Sequence, residues 1–287
     1  MARSLRDEPA ASAPVVVLDL EMTGLDIERD RVCEVAAMRA EAGEVQRSID
    51  TLIRPPVPMS DEAAAITGIS DADLVDAPPF ASIAVELTEL LSGAVLVCHN
   101  VQTDLAFLER EFHAVRHEVD APVSLDTLWM ARRLFAFPRN ALHAVAKTLG
   151  VDVAESHRAF ADAEVTWRVL RKMLDILDPA GTMTVGELND LIVALAPNSP
   201  LRLRQKRLLR TALRDGRTVV IQYQDTTHPE RGVLRREVGV RYIKFPYVQG
   251  WCFLRGGERV FRLDRMRSVE PGDRVVDLPD QPRRIGG

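Results

Sequence analysis

Apolar residues fall in two uninterrupted runs near the start of the chain. Val15 to Leu18 continues through Asp19 and Leu20 and stops at Thr23-Gly24, and a second run extends from Ala94 to Cys98. Runs this short and this apolar predict strands buried on both faces, the first of them central in its sheet. Between them, residues 31–39 and 44–53 are β-compatible around Gly43, with Val45, Arg47, Ile49, Thr51 and Ile53 alternating, which predicts a hairpin and three antiparallel strands in all. The period then changes to helical. Ile83, Leu87, Leu90 and Leu91 share one face, as do Leu105, Leu108 and Phe112, while 125–135, 142–149 and a helix entered near Arg158 continue the pattern. The stretch 14–178 therefore reads as one mixed α/β unit, and the polar, Ala-rich residues 1–13 as a disordered lead-in.

Pro179 and Gly181 close that unit. Thr184 with Glu187 forms a capping-box pattern, Ser199-Pro200 opens an Arg-rich helix, and Asp215-Gly216 ends it, so 179–215 reads as a helical connector. Beyond it Val219, Ile221 and Tyr223 alternate, 239–245 and 248–254 read as strands, and Gly256-Gly257 turns into 259–263, which makes 216–287 a small β-rich domain.

Composition narrows the class. Hydrophobic residues make up 46% and charged residues 28% of the 287, a globular balance. With no apolar run near the ~18 residues of a membrane span and no apolar block in the opening segment, a cytoplasmic protein is expected, without membrane partners. Cys33, Cys98 and Cys252 form no CxxC pair and read as buried thiols. The net charge of -5 hides a division: residues 201–287 hold 20 Lys and Arg against 10 Asp and Glu, and residues 1–200 hold 17 against 32. A basic module beside an acidic one points to an anionic partner for the former, nucleic acid first.

Asp19 and Glu21, two residues apart on a strand, project from one face. Adjacent carboxylates in an apolar strand call for a cation, and oxygen ligands suit a hard divalent ion. Asp104 falls in the first turn of one helix, and Asp162 near the start of another, five residues after His157. Together, Asp19-Leu20-Glu21-Met22-Thr23-Gly24-Leu25, His99-Asn100-Val101-Gln102-Thr103-Asp104 and His157-Arg158-Ala159-Phe160-Ala161-Asp162 resemble the three motifs of DEDDh-type 3′-to-5′ exonucleases, the branch that includes the epsilon proofreading subunit of bacterial DNA polymerase III. Ile66-Thr67-Gly68-Ile69 looks like the family's GIT-type turn, and Leu125-Asp126-Thr127-Leu128 looks like its DTL helix entry.

The resemblance covers about 14–178 and implies an α/β ribonuclease H-like fold that removes nucleotides from DNA, single-stranded or at 3′ ends, with two divalent ions, Mg²⁺ or Mn²⁺. It implies that Asp19, Glu21, Asp104 and Asp162 hold the metals, that Asp19 is shared between them, and that His157 takes the proton from the attacking water, a role suited to a group that titrates near neutrality. Met22, Thr23, Leu25, His99 and Asn100 would meet the substrate. Met22 and Thr103 depart from the family's frequent Thr and Phe, which bears on substrate preference and not on the ligands. Other outcomes are an exoribonuclease acting on short RNA and a non-catalytic nucleic-acid-sensing regulator.

A second resemblance covers most of 200–278. Val219 to Tyr223, Trp251 to Leu254 and Arg262 to Met266 look like the WYL domain, an SH3-like or Sm-like barrel module. It implies sensing of a ligand or of single-stranded nucleic acid. Arg235, Arg236, Arg262 and Arg265 offer the charge that such binding uses and are the expected contacts, with Tyr223 and Trp251 expected as core.

Overall fold

The computed structural model describes residues 4–117, 123–135, 137–153, 158–224 and 232–276. They divide into two compact units, residues 1–129 with 139–189 and residues 130–138 with 190–287.

The first unit opens with β1 (Val15–Met22), β2 (Val32–Glu41) and β3 (Glu44–Leu52). Short helices α1 (Asp61–Thr67) and α2 (Asp71–Leu74) lead to α3 (Ala84–Leu91), β4 (Val95–Cys98) and α4 (Val101–Ala114). Next come β5 (Ser124–Asp126), α5 (Thr127–Leu134), α6 (Leu142–Thr148) and α7 (Ala159–Leu177). The sheet order is β3-β2-β1-β4-β5, with β1 to β3 antiparallel and β4 and β5 parallel to β1. As its unbroken apolar run predicts, β1 is central: Val16, Val17 and Leu18 are fully buried.

Two expectations are corrected here. The stretch 125–135 is not all helix: Ser124–Asp126 pairs with β4 before α5 begins. Within residues 4–13 the lead-in is structured, since Ala10 and Ala13 are buried and the Ala10 N–H donates to the Met183 carbonyl at 2.8 Å. The three thiols are free and buried, and among the described residues no helix is long and apolar enough to cross a membrane.

The second unit holds α9 (Pro200–Arg214), preceded in the chain by α8 (Val185–Ala194), and the strands β6 (Arg217–Gln224), β7 (Val233–Lys244), β8 (Tyr247–Cys252), β9 (Gly257–Arg262) and β10 (Met266–Val275). Both expected helix starts are built as read: Thr184 and Glu187 exchange capping bonds, and Ser199 Oγ accepts from the Arg202 N–H with Pro200 in the first turn. The antiparallel order is β10-β6-β7-β8-β9. No pairing among the described residues joins β9 to β10. Helix α9 does not merely connect, because Leu209 and Ala212 belong to the same core as Val219, Ile221, Val248 and Phe261.

Arg202 ties α9 to the sheet. It is 1% exposed and donates to the carbonyls of Leu195, Leu263, Asp264 and Met266 and to Gln205 Oε1. Burial pushes its pKa down to about 10. Replacing it by Met would take the side-chain donor from the carbonyls of Leu195 and Asp264 and one of two donors from those of Leu263 and Met266, at about 1–3 kcal/mol for a group left unsatisfied. Arg202→Met is expected to lose about 3 kcal/mol or more and to lower the melting temperature of this unit by about 10 °C or more in a calorimetric scan. Arg202→Lys should not restore it, since an ammonium cannot reproduce the planar fork.

Candidate active site

Asp19 and Glu21 stand at the end of β1, and Asp104 and Asp162 lie in the first turns of α4 and α7. One carboxylate oxygen each from Asp19, Glu21 and Asp162 lies within 4.8 Å of the others. Asp104 is buried and accepts the backbone N–H of Leu20, which binds the start of α4 to β1.

Electrostatics follow from that crowding. Burial, then the charges of Asp104, Glu21 and Asp162, hold the Asp19 carboxyl well above the ordinary range. Burial and the charges of Glu34 and Asp162 push Glu21 to about 8, with Arg158 opposing. Burial raises Asp104 to about 7 against the hydrogen bond from Leu20. Such shifts mean that the ionised cluster is under-compensated by the protein itself. An all-oxygen donor set of this kind fits a hard divalent cation and fits soft metals poorly.

Side chains outside the expected ligand set hold the ligands in place. Glu34 pairs with Glu21 across β1 and β2 and is buried, and it accepts from Arg158 Nε at 2.9 Å, from Arg158 Nη2 at 2.5 Å and from the Ala159 N–H at 3.1 Å. That triple contact fixes the first turn of α7. His143 Nε2, on α6, lies 2.7 Å from Asp162 Oδ1. Asp126 accepts the N–H groups of Asn100, Val101, Leu128 and Trp129, capping α4 and α5 together. The one sequence signal for the first of these was an acid in the apolar run of β2; His143 had none.

The expected substrate residues differ in setting. Thr23 is buried, and its hydroxyl accepts the Arg31 N–H at 3.0 Å. Asp30 accepts the Asp26 N–H at 2.7 Å and packs so close to Gly24 that a Cβ there would lie 2.4 Å from its carboxylate. This tight loop leaves Leu25 81% exposed. Met22 ends β1, half-buried. His99 is braced, Nδ1 2.9 Å from Thr127 Oγ1 and Nε2 2.9 Å from the Asn140 carbonyl. Asn100, at φ 92°, donates from its amide to Thr103 Oγ1. His157 lies outside the described residues.

In the second unit Arg235 is exposed on β7 and Arg265 half-buried. Arg236 is buried, its guanidinium 5.9 Å from the Tyr223 ring centre. Arg262 is neutralised by Asp264 through two bonds of 3.1 and 2.8 Å. Tyr223 is buried as expected, whereas Trp251 is half-buried with Arg241 5.7 Å over its ring.

Comparison with known proteins agrees with this geometry. Residues 16–170 match the exonuclease family model and residues 205–271 that of the WYL domain. The chain is 30% identical over 187 residues to the PolC-type DNA polymerase III of Caldanaerobacter subterraneus subsp. tengcongensis, covering 65% of this chain and 13% of that protein. To the PolC-type polymerase of Staphylococcus aureus it is 29% identical over 185 residues, covering 64% and 13%. It thus spans only a small part of these relatives. Among solved structures it resembles E. coli exonuclease I in complex with a dT13 oligonucleotide, at 14% identity and a TM-score of 0.55 over 91% of this chain and 66% of that one. Exonuclease I of Methylocaldum szegediense gives 17% and 0.51 over 90% and 65%. At these identities the likeness establishes the fold, an α/β ribonuclease H-like unit.

Proposed function

The chain belongs to the exonuclease family, and from that premise we propose that it is a metal-dependent 3′-to-5′ exonuclease that hydrolyses phosphodiester bonds at the 3′ ends of single-stranded DNA. The observation that carries this is the convergence of Asp19, Glu21 and Asp162 within 4.8 Å, with Asp104 buried beside them. Asp19, Glu21, Asp104 and Asp162 would hold two divalent ions, Mg²⁺ or Mn²⁺. Bound there, the ions would stabilise charge on the attacking and leaving oxygens of the phosphodiester.

The protein's own residues divide the remaining work. Glu34 and Arg158 anchor the turn that begins α7, and His143 steadies Asp162 from α6. His157, immediately before Arg158, would take the proton of the attacking water as general base. Exposed Leu25 would pack against the terminal base, and the backbone of Met22 and Thr23 would face the terminal nucleotide. His99 and Asn100, engaged with protein atoms, would serve by setting the start of α4 and hence Asp104. In the second unit we read the sheet as SH3-like or Sm-like, a platform for nucleic acid or a ligand at its arginines.

Matched DNA and RNA 20-mers, labelled at either end and incubated with Mg²⁺ or Mn²⁺, test the reading. DNA should shorten progressively from the 3′ end, and RNA more slowly. His157→Ala is expected to reduce turnover roughly a hundredfold or more, the usual contribution of a general base, and to flatten the rise of rate near neutral pH. Faster loss of RNA would make the protein an exoribonuclease. Intact substrates of both kinds would leave a nucleic-acid-sensing module, and an unchanged pH profile in the variant would remove His157 from catalysis.

A further inference from the structure

Arginines of the second unit are unequally available. Arg236 is buried and Arg262 is held by Asp264, but α9 carries a separate row of cations. Lys206, Arg210 and Arg214 are spaced four residues apart and so lie along one helical face, about 6 Å from one to the next. Against that face stands Phe245, half-buried after the last residue of β7. The Lys206 Nζ and the Arg210 guanidinium lie 5.7 and 5.2 Å from its ring centre.

Between them is an open groove of about 350 Å³, lined by Arg210, Leu213, Arg214, Ile243 and Phe245. That volume is within the usual range of ligand sites. Its floor is apolar and aromatic and its rim is cationic. Arg214 also meets Asp215 at 2.7 Å, but both are exposed, and an exposed pair separates at little cost. By contrast, the groove beside Trp167 in the first unit has Asp152 and Asp175 among its basic residues and lacks a single sign of charge.

We propose that the α9–Phe245 groove binds single-stranded nucleic acid, one base lying on Phe245, Ile243 and Leu213 while neighbouring phosphates meet Lys206, Arg210 and Arg214. An aromatic floor with a cationic rim is the combination that sequence-tolerant single-strand binding uses, since every base has a π-face and every nucleotide a charge. The occupant's class rests on the exonuclease reading above; the placement rests on the groove. It moves the contact surface from the expected strand arginines to α9 and the end of β7.

Fluorescence anisotropy of the full chain with 5′-fluorescein-labelled dT20 and U20, in EDTA so that nothing is cleaved, tests the site. Arg210→Gln with Arg214→Gln is expected to weaken binding roughly tenfold at low salt and to make the slope of log affinity against log salt shallower by about 1.4, at about 0.7 per phosphate contact. Phe245→Ala is expected to weaken it roughly tenfold with the slope unchanged, because stacking releases no counterions. Phe245→Leu keeps the apolar contact and loses the ring, so it should melt like the parent and bind like Phe245→Ala. Arg204→Gln with Arg255→Gln, both exposed and neither lining the groove, is the control.

Groove variants that bind within twofold of the parent overturn the proposal. So does a control pair that loses as much as Arg210 and Arg214, which would make the effect one of net charge, and so does a Phe245→Leu variant that binds like the parent. Loss in the groove variants of a chain that cleaves nothing would keep the site and remove the nuclease reading. Cleavage of DNA by a chain whose groove variants bind normally would do the reverse.

Discussion

Asp19→Asn is expected to lose more than roughly a thousandfold in DNA cleavage while its metal-free form becomes more stable than the parent. The activity loss follows from position. Asp19 is on the central strand, in the cluster with Glu21 and Asp162 and next to Asp104, and stabilising charge on the reacting oxygens is the largest contribution such a site makes. The stability gain follows from the raised Asp19 pKa: an ionised carboxylate that is buried among three others costs free energy, and a neutral amide of the same shape removes that cost. Rates from 3′-labelled dT20 and a melting curve in EDTA read both effects. A structural acid that merely helps to hold the fold would give the opposite sign in the second measurement, and cleavage at the parent's rate would remove Asp19 from the site.

The four acids were legible because their spacings along strand and helix entries are local, and β1 and β4 were legible because unbroken apolar runs of that length have one common solution. What was missed depends on partners far away in the chain. Glu34 reaches Arg158 across 124 residues, and His143 meets Asp162 only because α6 and α7 pack together. Ser124–Asp126 contains a single apolar residue and runs directly into α5, so the helical period absorbed the strand. Ala10 and Ala13 are too small for their burial to register as a hydrophobic pattern. Strand β10 carries Glu270, Pro271, Gly272 and Asp273, a composition tolerated at the edge where it sits. Helix α9 looked like a charged connector because the residues that bury it against the sheet include Arg202 and Gln205 as well as Leu209 and Ala212.

The metal-free protein is expected to lose stability as pH rises from about 4 to about 8, and divalent metal to restore it most at the upper end. Glu21 is raised from an ordinary 4.5 to about 8 and Asp104 from 3.8 to about 7, and Asp19 is raised as well. A carboxyl whose pKa is higher in the folded state favours folding while it is protonated. Its contribution is complete below the unfolded pKa near 4 and is lost as pH passes through the folded values of about 7 and 8. The three groups share one field, so their effects do not add, but together they amount to a few kcal/mol on the order-of-magnitude scale of 1.36 kcal/mol per pKa unit. Metal and protons compete for the same oxygens, so Mn²⁺ should raise the melting temperature of the catalytic unit by several degrees at pH 8 and hardly at all at pH 5. Scans in EDTA and in Mn²⁺ at both pH values measure this, and Asp19→Asn, with one titrating ligand fewer, should flatten both the pH slope and the Mn²⁺ response. A melting temperature in EDTA that is constant between pH 5 and 8, or a Mn²⁺ gain equal at the two, would show that these carboxylates are already neutralised by the protein and leave no charge for a metal to balance.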